Sequence, residues 1–491
     1  MTRCELTDRR AYVLLTAVWL ASVVLVWGIV ENPLYDYTSF LHCYARWAAG
    51  EVPYLDFQWM YPPLSLWLYG TAMKCGSGSY YNVVALSSLL SLLNLLGYYQ
   101  LVRAFYRPRV SAYAAVASYF ALFASTSTAG GNIITGNFTF CGITLFIWML
   151  VLLLRGLSRN GNRTGLATAA GFLAGLAILN KHEQMVGAIA VLAALLLRRA
   201  LWKRRDINVT AFAGMAGLIG ALGYGMQGLQ SGYANMWAAL TGYGTAAQHA
   251  LRTLPSVISI WRQCILATAY AGGILAISAI RPLRKRQLTT AMVLLLLALA
   301  MVCGEALRVY RLAIHTAWTT ANDIPSSLAL YGMLSRGAGP LGATAHYIGE
   351  FMFKNIVPLL IVLLACGTLW LVINRRRFFR DSPSLNQQKL FLIIAAVLAL
   401  QVRGQFSYSD FGAIGIAVPV MIYFAALSAS TYQHRRLTPA RFQCFLSRVC
   451  AIWMYLTLAL ACVAYGFEFR DARFRPLRVQ TARGEIALPD T

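Results

Sequence analysis

The sequence predicts an all-α polytopic membrane protein of about 13 transmembrane helices, with interfacial helices in its first outer loop. Three observations carry that expectation. Of 491 residues, 58% are hydrophobic and only 12% charged, where a soluble domain carries roughly 25% charged residues. The mean hydropathy is +0.58. Apolar runs near spanning length recur along the whole chain, with no Pro/Ser/Gly-rich linker between them. Soluble enzymes, disordered chains and secreted disulfide scaffolds do not fit these values.

The elements follow in order. Arg3, Arg9 and Arg10 precede an apolar stretch at 11–30, an arrangement similar to a signal peptide. The stretch is long enough to span and no small-x-small cleavage site follows it, so it is read as a retained first helix. Further spans are predicted at 80–102, 110–127, 136–154, 166–180, 185–197, 208–224, 258–280, 288–307, 352–373, 390–402, 411–430 and 443–466. The runs at 166–180, 185–197 and 390–402 are the shortest and borrow flanking polar residues. The stretch 61–74 is too short to span and adjoins Pro62 and Pro63, so it is placed as a helix at the interface.

The net charge is +25. Basic residues sit in short clusters between apolar runs, which points to anionic lipid headgroups and not to nucleic acid. With the N-terminus in the cytoplasm, the clusters at 103–109, 155–163, 198–205, 281–286, 375–389 and 435–448 all fall inside. The longer, chemically mixed loops at 31–79, 225–257, 308–351 and 403–410 then face outward. The chain is thus expected to lie in a plasma (inner) membrane as one transmembrane domain, 1–467, with any active site on the outer face. A basic tail, 468–491, follows. Its arginines fall outside by the span count, against the charge rule. Ten cysteines show no CxxC pair. Cys43 and Cys75 share the first outer loop, and a pairing between them stays open.

That loop is the most informative segment. From Asp36, the residues Tyr37, Phe40, Leu41, Tyr44 and Trp47 recur at three- and four-residue steps, and Gly50 is a natural stop. This predicts an amphipathic surface helix with Asp36 at its N-terminal end, where a carboxylate is stabilised in its ionised form. An aromatic, proline-stiffened segment follows, PYLDFQWMYPPL, carrying Asp56 and Tyr61. Taken alone, an Asp at a helix start is most often a cap and an aromatic loop most often an interfacial belt.

Two further groups stand out. Lys181, His182 and Glu183 join two apolar runs on the outer side, where a polar hairpin tip or a snorkelling Lys is the plain alternative. Glu305, Arg308, Arg311 and His315 have helical spacing that suits a phosphate or sugar, and equally a solvated helix end. There is no GxxxxGK[ST] phosphate loop and no GxGxxG after a strand, so nucleotide-driven chemistry lacks support.

The order of these segments resembles the GT-C superfamily of membrane glycosyltransferases. The likeness rests on an acidic residue opening the first outer loop, then G-x-x-P-Y-x-D-F from Gly50 to Phe57, then Tyr61-Pro62-Pro63. Gly171 to Glu183, GFLAGLAILNKHE, resembles the family's helix end G-L-A-x-L-x-K. Arg403 to Pro419, RGQFSYSDFGAIGIAVP, resembles its late outer segment. The likeness covers roughly the first 200 residues and, loosely, the 400–420 stretch.

The resemblance implies an inverting transfer of sugar from a polyprenyl-phosphate-linked donor to an envelope glycan, lipid or protein acceptor. The attacking hydroxyl then needs one base, a role that falls to Asp36. Asp56 and Tyr61 are candidates for orienting acceptor or sugar. The leaving lipid phosphate needs positive charge, for which Lys181 and Arg403 match family positions, with His182, Glu183, Arg308 and Arg311 beside them. No cofactor is demanded, and a divalent ion bridging Asp36 and phosphate is compatible with the chemistry. Two other readings share features: a transporter or flippase of lipid-linked saccharide, and an O-antigen ligase or polymerase.

Overall fold

A computed structural model describes residues 7–26, 36–76, 78–104, 108–109, 111–116, 119, 138–158, 163–202, 207–241, 476–481 and 484–489. The chain divides into two compact units, Met1–Thr245 with Leu385–Thr491, and Ala246–Ser384. Every described residue belongs to the first. The spans predicted between 258 and 466 and most of 110–127, together with Arg308, Arg311 and Arg403, lie outside the described residues.

The described part is mostly helical. Helices α1 (Asp8–Val26), α2 (Asp36–Ala48), α3 (Leu64–Cys75), α4 (Tyr80–Arg103), α5 (Phe138–Ser158), α6 (Arg163–Ile178), α7 (His182–Trp202), α8 (Val209–Ser231) and α9 (Tyr233–Thr241) follow in order. Among the described residues three helical segments are long and apolar enough to cross a membrane: Tyr80–Arg103, Cys141–Ser158 and Val209–Ser231. They answer the runs predicted at 80–102, 136–154 and 208–224. The run at 166–180 is a shorter apolar helix, and 61–74 is the twelve-residue α3. The protein is a multi-pass membrane protein.

Local chemistry sets the helix limits. Ser79 caps α4, its hydroxyl accepting from the Tyr81 amide, and Asn208 caps α8 through the Ala211 amide. Gly50, with φ of 97°, ends α2 in a Schellman arrangement. Its amide donates to the Trp47 carbonyl and that of Glu51 to the Arg46 carbonyl.

Packing between helices uses small residues and polar contacts, as membrane interiors require. The Trp19 indole in α1 donates to the Ser88 carbonyl of α4 at 2.8 Å and to the Ser91 hydroxyl at 3.1 Å. Asn94 of α4 donates to Thr144 of α5 at 3.3 Å. Gly171 and Gly175 of α6, a GxxxG pair, lie directly against the backbone of Phe212 and Ala216 in α8. No side chain fits at Gly171, because a Cβ there would meet the Phe212 carbonyl.

One expectation needs correcting. The tail 468–491, read as a basic extension of an all-α chain, contains a two-stranded antiparallel sheet, β1 (Pro476–Thr481) and β2 (Gly484–Pro489). The register pairs Leu477 with Leu488 and Val479 with Ile486. The physical reason is that Leu477 and Val479 alternate with Arg478 and Gln480 on β1, while β2 carries the short apolar run Ile486–Ala487–Leu488.

Candidate functional site

The site builds outward from α2. Asp36 is its first residue. Phe40, Tyr44 and Ala45 follow at helical steps and are buried, with Phe40 and Tyr44 on the same row as Asp36. They pack in one aromatic cluster with Tyr54, Phe57, Trp59, Leu66, Tyr69, Met73, Val83 and Met236. Ring pairs knit it together: Tyr44 with Tyr69 at 5.2 Å between centroids, Trp59 with Tyr61 at 5.7 Å, and Phe40 with Trp59 and with Tyr61 at 6.0 Å each. Burial pushes the Tyr44 and Tyr69 phenols well above their ordinary pKa.

Arg46, in the last turn of α2, holds the loop that follows. Its Nε donates to Glu51 at 2.5 Å, its Nη2 donates to the Asp56 backbone carbonyl at 2.7 Å, and its guanidinium lies 5.0 Å from the Phe57 ring centroid. Asp56 closes its own turn: one carboxylate oxygen accepts from the Val52 amide at 2.7 Å and the Asp56 amide donates to the Val52 carbonyl at 2.8 Å. Tyr54, inside that turn, adopts a positive φ of 68°. Its buried phenol donates to the Tyr61 carbonyl at 2.6 Å, and burial, then Tyr224, raises its pKa. Tyr61 is half-buried. Its carbonyl thus anchors the segment that leads through Pro62 and Pro63 into α3.

The second half of the site is the turn between α6 and α7. The Leu64 amide, at the start of α3, donates to the Leu179 carbonyl at 2.9 Å. Lys181, half-buried, stands two residues further on, its amide bonded to Ala177 at 3.2 Å. Behind it, the buried Asn180 side chain donates to the buried Gln184 at 3.2 Å. Helix α8 closes the junction: Gly223 abuts Leu179, and Gln227 accepts from the Trp67 indole of α3 at 3.1 Å.

The Leu64–Leu179 bond thus ties the start of α3, three residues after Tyr61, to the turn that carries Lys181, while Asp36 opens α2, whose buried face packs in the same aromatic cluster as α3. Asp56 sits on the exposed side of the loop. His182 and Glu183 occupy the first two positions of α7. Cys43 and Cys75 are both free, so the open pairing is not made. Sequence reading missed Arg46, Asn180, Gln184 and Gln227. Gln227 left a usable signal, as a polar residue within an uncharged run from Val209 to Thr241.

Comparison with known proteins bears on this half of the chain. The sequence model of the dolichyl-phosphate-mannose-protein mannosyltransferase family matches residues 60–223. The match covers about a third of the chain. It begins inside the aromatic segment and covers the Leu64–Leu179 junction, Lys181 and the Gly171–Gly175 pair. Among solved structures, the chain is similar to the archaeal oligosaccharyltransferase AglB from Archaeoglobus fulgidus in complex with an inhibitory peptide and a dolichol-phosphate. Identity there is 13%, the TM-score is 0.45, and the likeness covers 92% of this chain and 56% of that one. It is also similar to ArnT from Cupriavidus metallidurans bound to undecaprenyl phosphate, at 16% identity and a TM-score of 0.39, covering 87% of this chain and 81% of that one. The chain thus spans just over half the length of the AglB chain it matches. No curated protein matches it in sequence.

Proposed function

We propose that this protein transfers a sugar from a polyprenyl-phosphate-linked donor to an envelope glycan, lipid or protein acceptor on the outer face of the inner membrane, inverting at the anomeric carbon. The observation that carries the reading is the junction at Leu64 and Leu179. It joins the segment that follows the Asp36 helix to the turn that carries Lys181. An acid and a cation are what the reaction asks for on either side of the scissile bond. Asp36 takes the proton of the attacking hydroxyl as the new glycosidic bond forms. The bond from the anomeric carbon to the phosphate oxygen breaks, and its electrons leave with the lipid phosphate. Lys181 stabilises the charge that grows there. Tyr61 and Asp56 are the proposed contacts for sugar and acceptor, and the resemblance adds His182, Glu183 and Arg403 as candidates.

The test uses purified protein in lipid nanodiscs, with polyprenyl-phosphate-linked sugars and an envelope acceptor pool. Release of the lipid phosphate is followed for wild type and Asp36→Asn. Wild type releases it, and Asp36→Asn falls by about 10²–10⁴-fold while retaining donor binding, as loss of a general base requires. Undiminished release by the variant overturns the base assignment. No release by wild type with any donor, despite binding of lipid-linked saccharide, turns the reading toward a flippase.

A further inference from the structure

We infer that α9 is an interfacial anchor: Tyr233 and Trp237 lie at the boundary between phospholipid headgroups and acyl chains, on the lipid side of the aromatic cluster. The argument starts from length. From Val209 to Thr241 the chain carries no Asp, Glu, Lys or Arg. Helix α8, with 23 residues, extends about 35 Å at 1.5 Å per residue and so spans a hydrocarbon core of about 30 Å by itself. Helix α9 has nine residues, about 14 Å, and is too short to cross.

The break between them is built for a change of direction. Gly232 takes a φ of 80°, open to glycine and strained for other residues. The Asn235 side chain donates to the Ser231 carbonyl at 2.9 Å. The Tyr233 ring folds back over Gly228, where a side chain would collide with it, and its hydroxyl donates to the Gly225 carbonyl at 3.3 Å. Polar groups thus gather at the end of a span, where a bilayer gives way to water.

The two sides of α9 then differ. Met236 is buried in the aromatic cluster with Phe40 and Tyr44 of α2, and Ala239 and Leu240 pack against it. Exposed apolar side chains form a stripe at three- and four-residue steps along α8, Leu218, Leu222, Met226 and Leu229, and beyond the break Tyr233 and Trp237 are exposed one turn apart on α9. Leu229 is 78% exposed, Tyr233 55% and Trp237 67%. The stripe is aliphatic along the span and aromatic beyond the break. That is the order in which a helix meets acyl chains and then headgroups, where Trp and Tyr bodies are apolar and their polar atoms stay hydrated. Because Met236 is fixed in the cluster, the anchor also sets the depth of α2 and its first residue, Asp36.

Tryptophan quenching tests this in nanodiscs whose lipids carry bromine either near the headgroup or near the chain terminus. Wild type and Trp237→Phe are compared, with Trp237→Tyr as a second variant should the first fail to give monodisperse protein. The shallow label quenches wild type more than either variant, and the deep label separates them less. Equal quenching of wild type and variants by both labels overturns the proposal. So does loss of an acrylamide-quenched component in the variants, which would place Trp237 in water. A dimer in wild type that either variant dissolves overturns it as well, because a second copy would then cover the stripe. None of these outcomes depends on whether the protein transfers a sugar.

Discussion

The Leu64 amide donates a 2.9 Å hydrogen bond to the Leu179 carbonyl, so the start of α3 and the end of the α6 turn share one backbone junction. Helix α8 braces it, with the Tyr224 hydroxyl 3.4 Å from the Ile178 carbonyl and Gln227 holding Trp67. A change in the turn is therefore felt in the aromatic segment, and the reverse.

The amide pair beneath the turn should report this coupling. Asn180→Ala removes the donor to Gln184 and leaves a buried acceptor without it, at a cost of about 1–3 kcal/mol. Thermal unfolding in nanodiscs measures the loss. If Lys181 holds the lipid phosphate as proposed, the same variant, altering the adjoining Asn180, weakens binding of polyprenyl phosphate. Affinity and stability both equal to wild type would sever the turn from the lipid phosphate.

Gly171 tests the α6–α8 contact. Alanine there meets the Phe212 carbonyl, which belongs to a helix and does not yield as a side-chain tip would. Gly171→Ala should cost about 1–3 kcal/mol by overpacking. Gly214→Ala, with open space at its Cβ, is the control and should be neutral or slightly stabilising, since Ala is the better helix former. Equal melting curves for the two variants would contradict the close approach.

Asp56 separates two roles. Its carboxylate oxygen accepts from the Val52 amide, a job that an amide oxygen also does. Asp56→Asn should leave stability at the wild-type value, while Asp56→Ala lowers it by about 1 kcal/mol. Loss of transfer in the stable Asn variant would then measure a contact between the carboxylate and sugar or acceptor. Destabilisation by both variants alike would show that the charge itself holds the loop.

Asp8 gives a pH dependence. It precedes the apolar stretch that begins at Ala11, and hydrogen bonds from Arg103, at 2.8 Å, and from Tyr99 hold its carboxyl below the usual range. A depressed folded pKa contributes stability above the ordinary carboxylate pKa, and that stability is lost as pH falls through the folded value. The pair is partly exposed, so the effect is small and weakens with salt. Asp8→Asn should flatten the fall in melting temperature between neutral and acidic pH. An unchanged slope would remove Asp8 from the acid response.

Most helices of the first 241 residues were legible because they rest on local signals, whereas α9 falls in the stretch 225–257 expected to be an outer loop. Apolar runs of spanning length gave α4, α5 and α8, and the 3.6-residue spacing from Asp36 to Trp47 with Gly50 behind it gave α2. The candidate site was legible as separate pieces, an acid on α2 and a basic turn at Lys181. The tie between α3 and the Lys181 turn was not, because a backbone bond between Leu64 and Leu179 involves two leucines that look like any others in an apolar run. Arg46 is hidden for a similar reason: one arginine on an amphipathic surface helix looks like any other, yet it holds Glu51 and the Asp56 carbonyl together.

By itself, the sequence determined the solvent of this protein and the position of most of its helices. Hydrophobicity and period are summed along the chain, and the bilayer leaves a backbone few other ways to satisfy its hydrogen bonds. Tertiary structure alone decided which small residues became contacts, which buried amides found one another, and how the aromatic segment folded back onto α3 and α9. Those are relations between residues far apart in sequence, set by shape and by the need to pair polar groups out of water, and no local pattern encodes them.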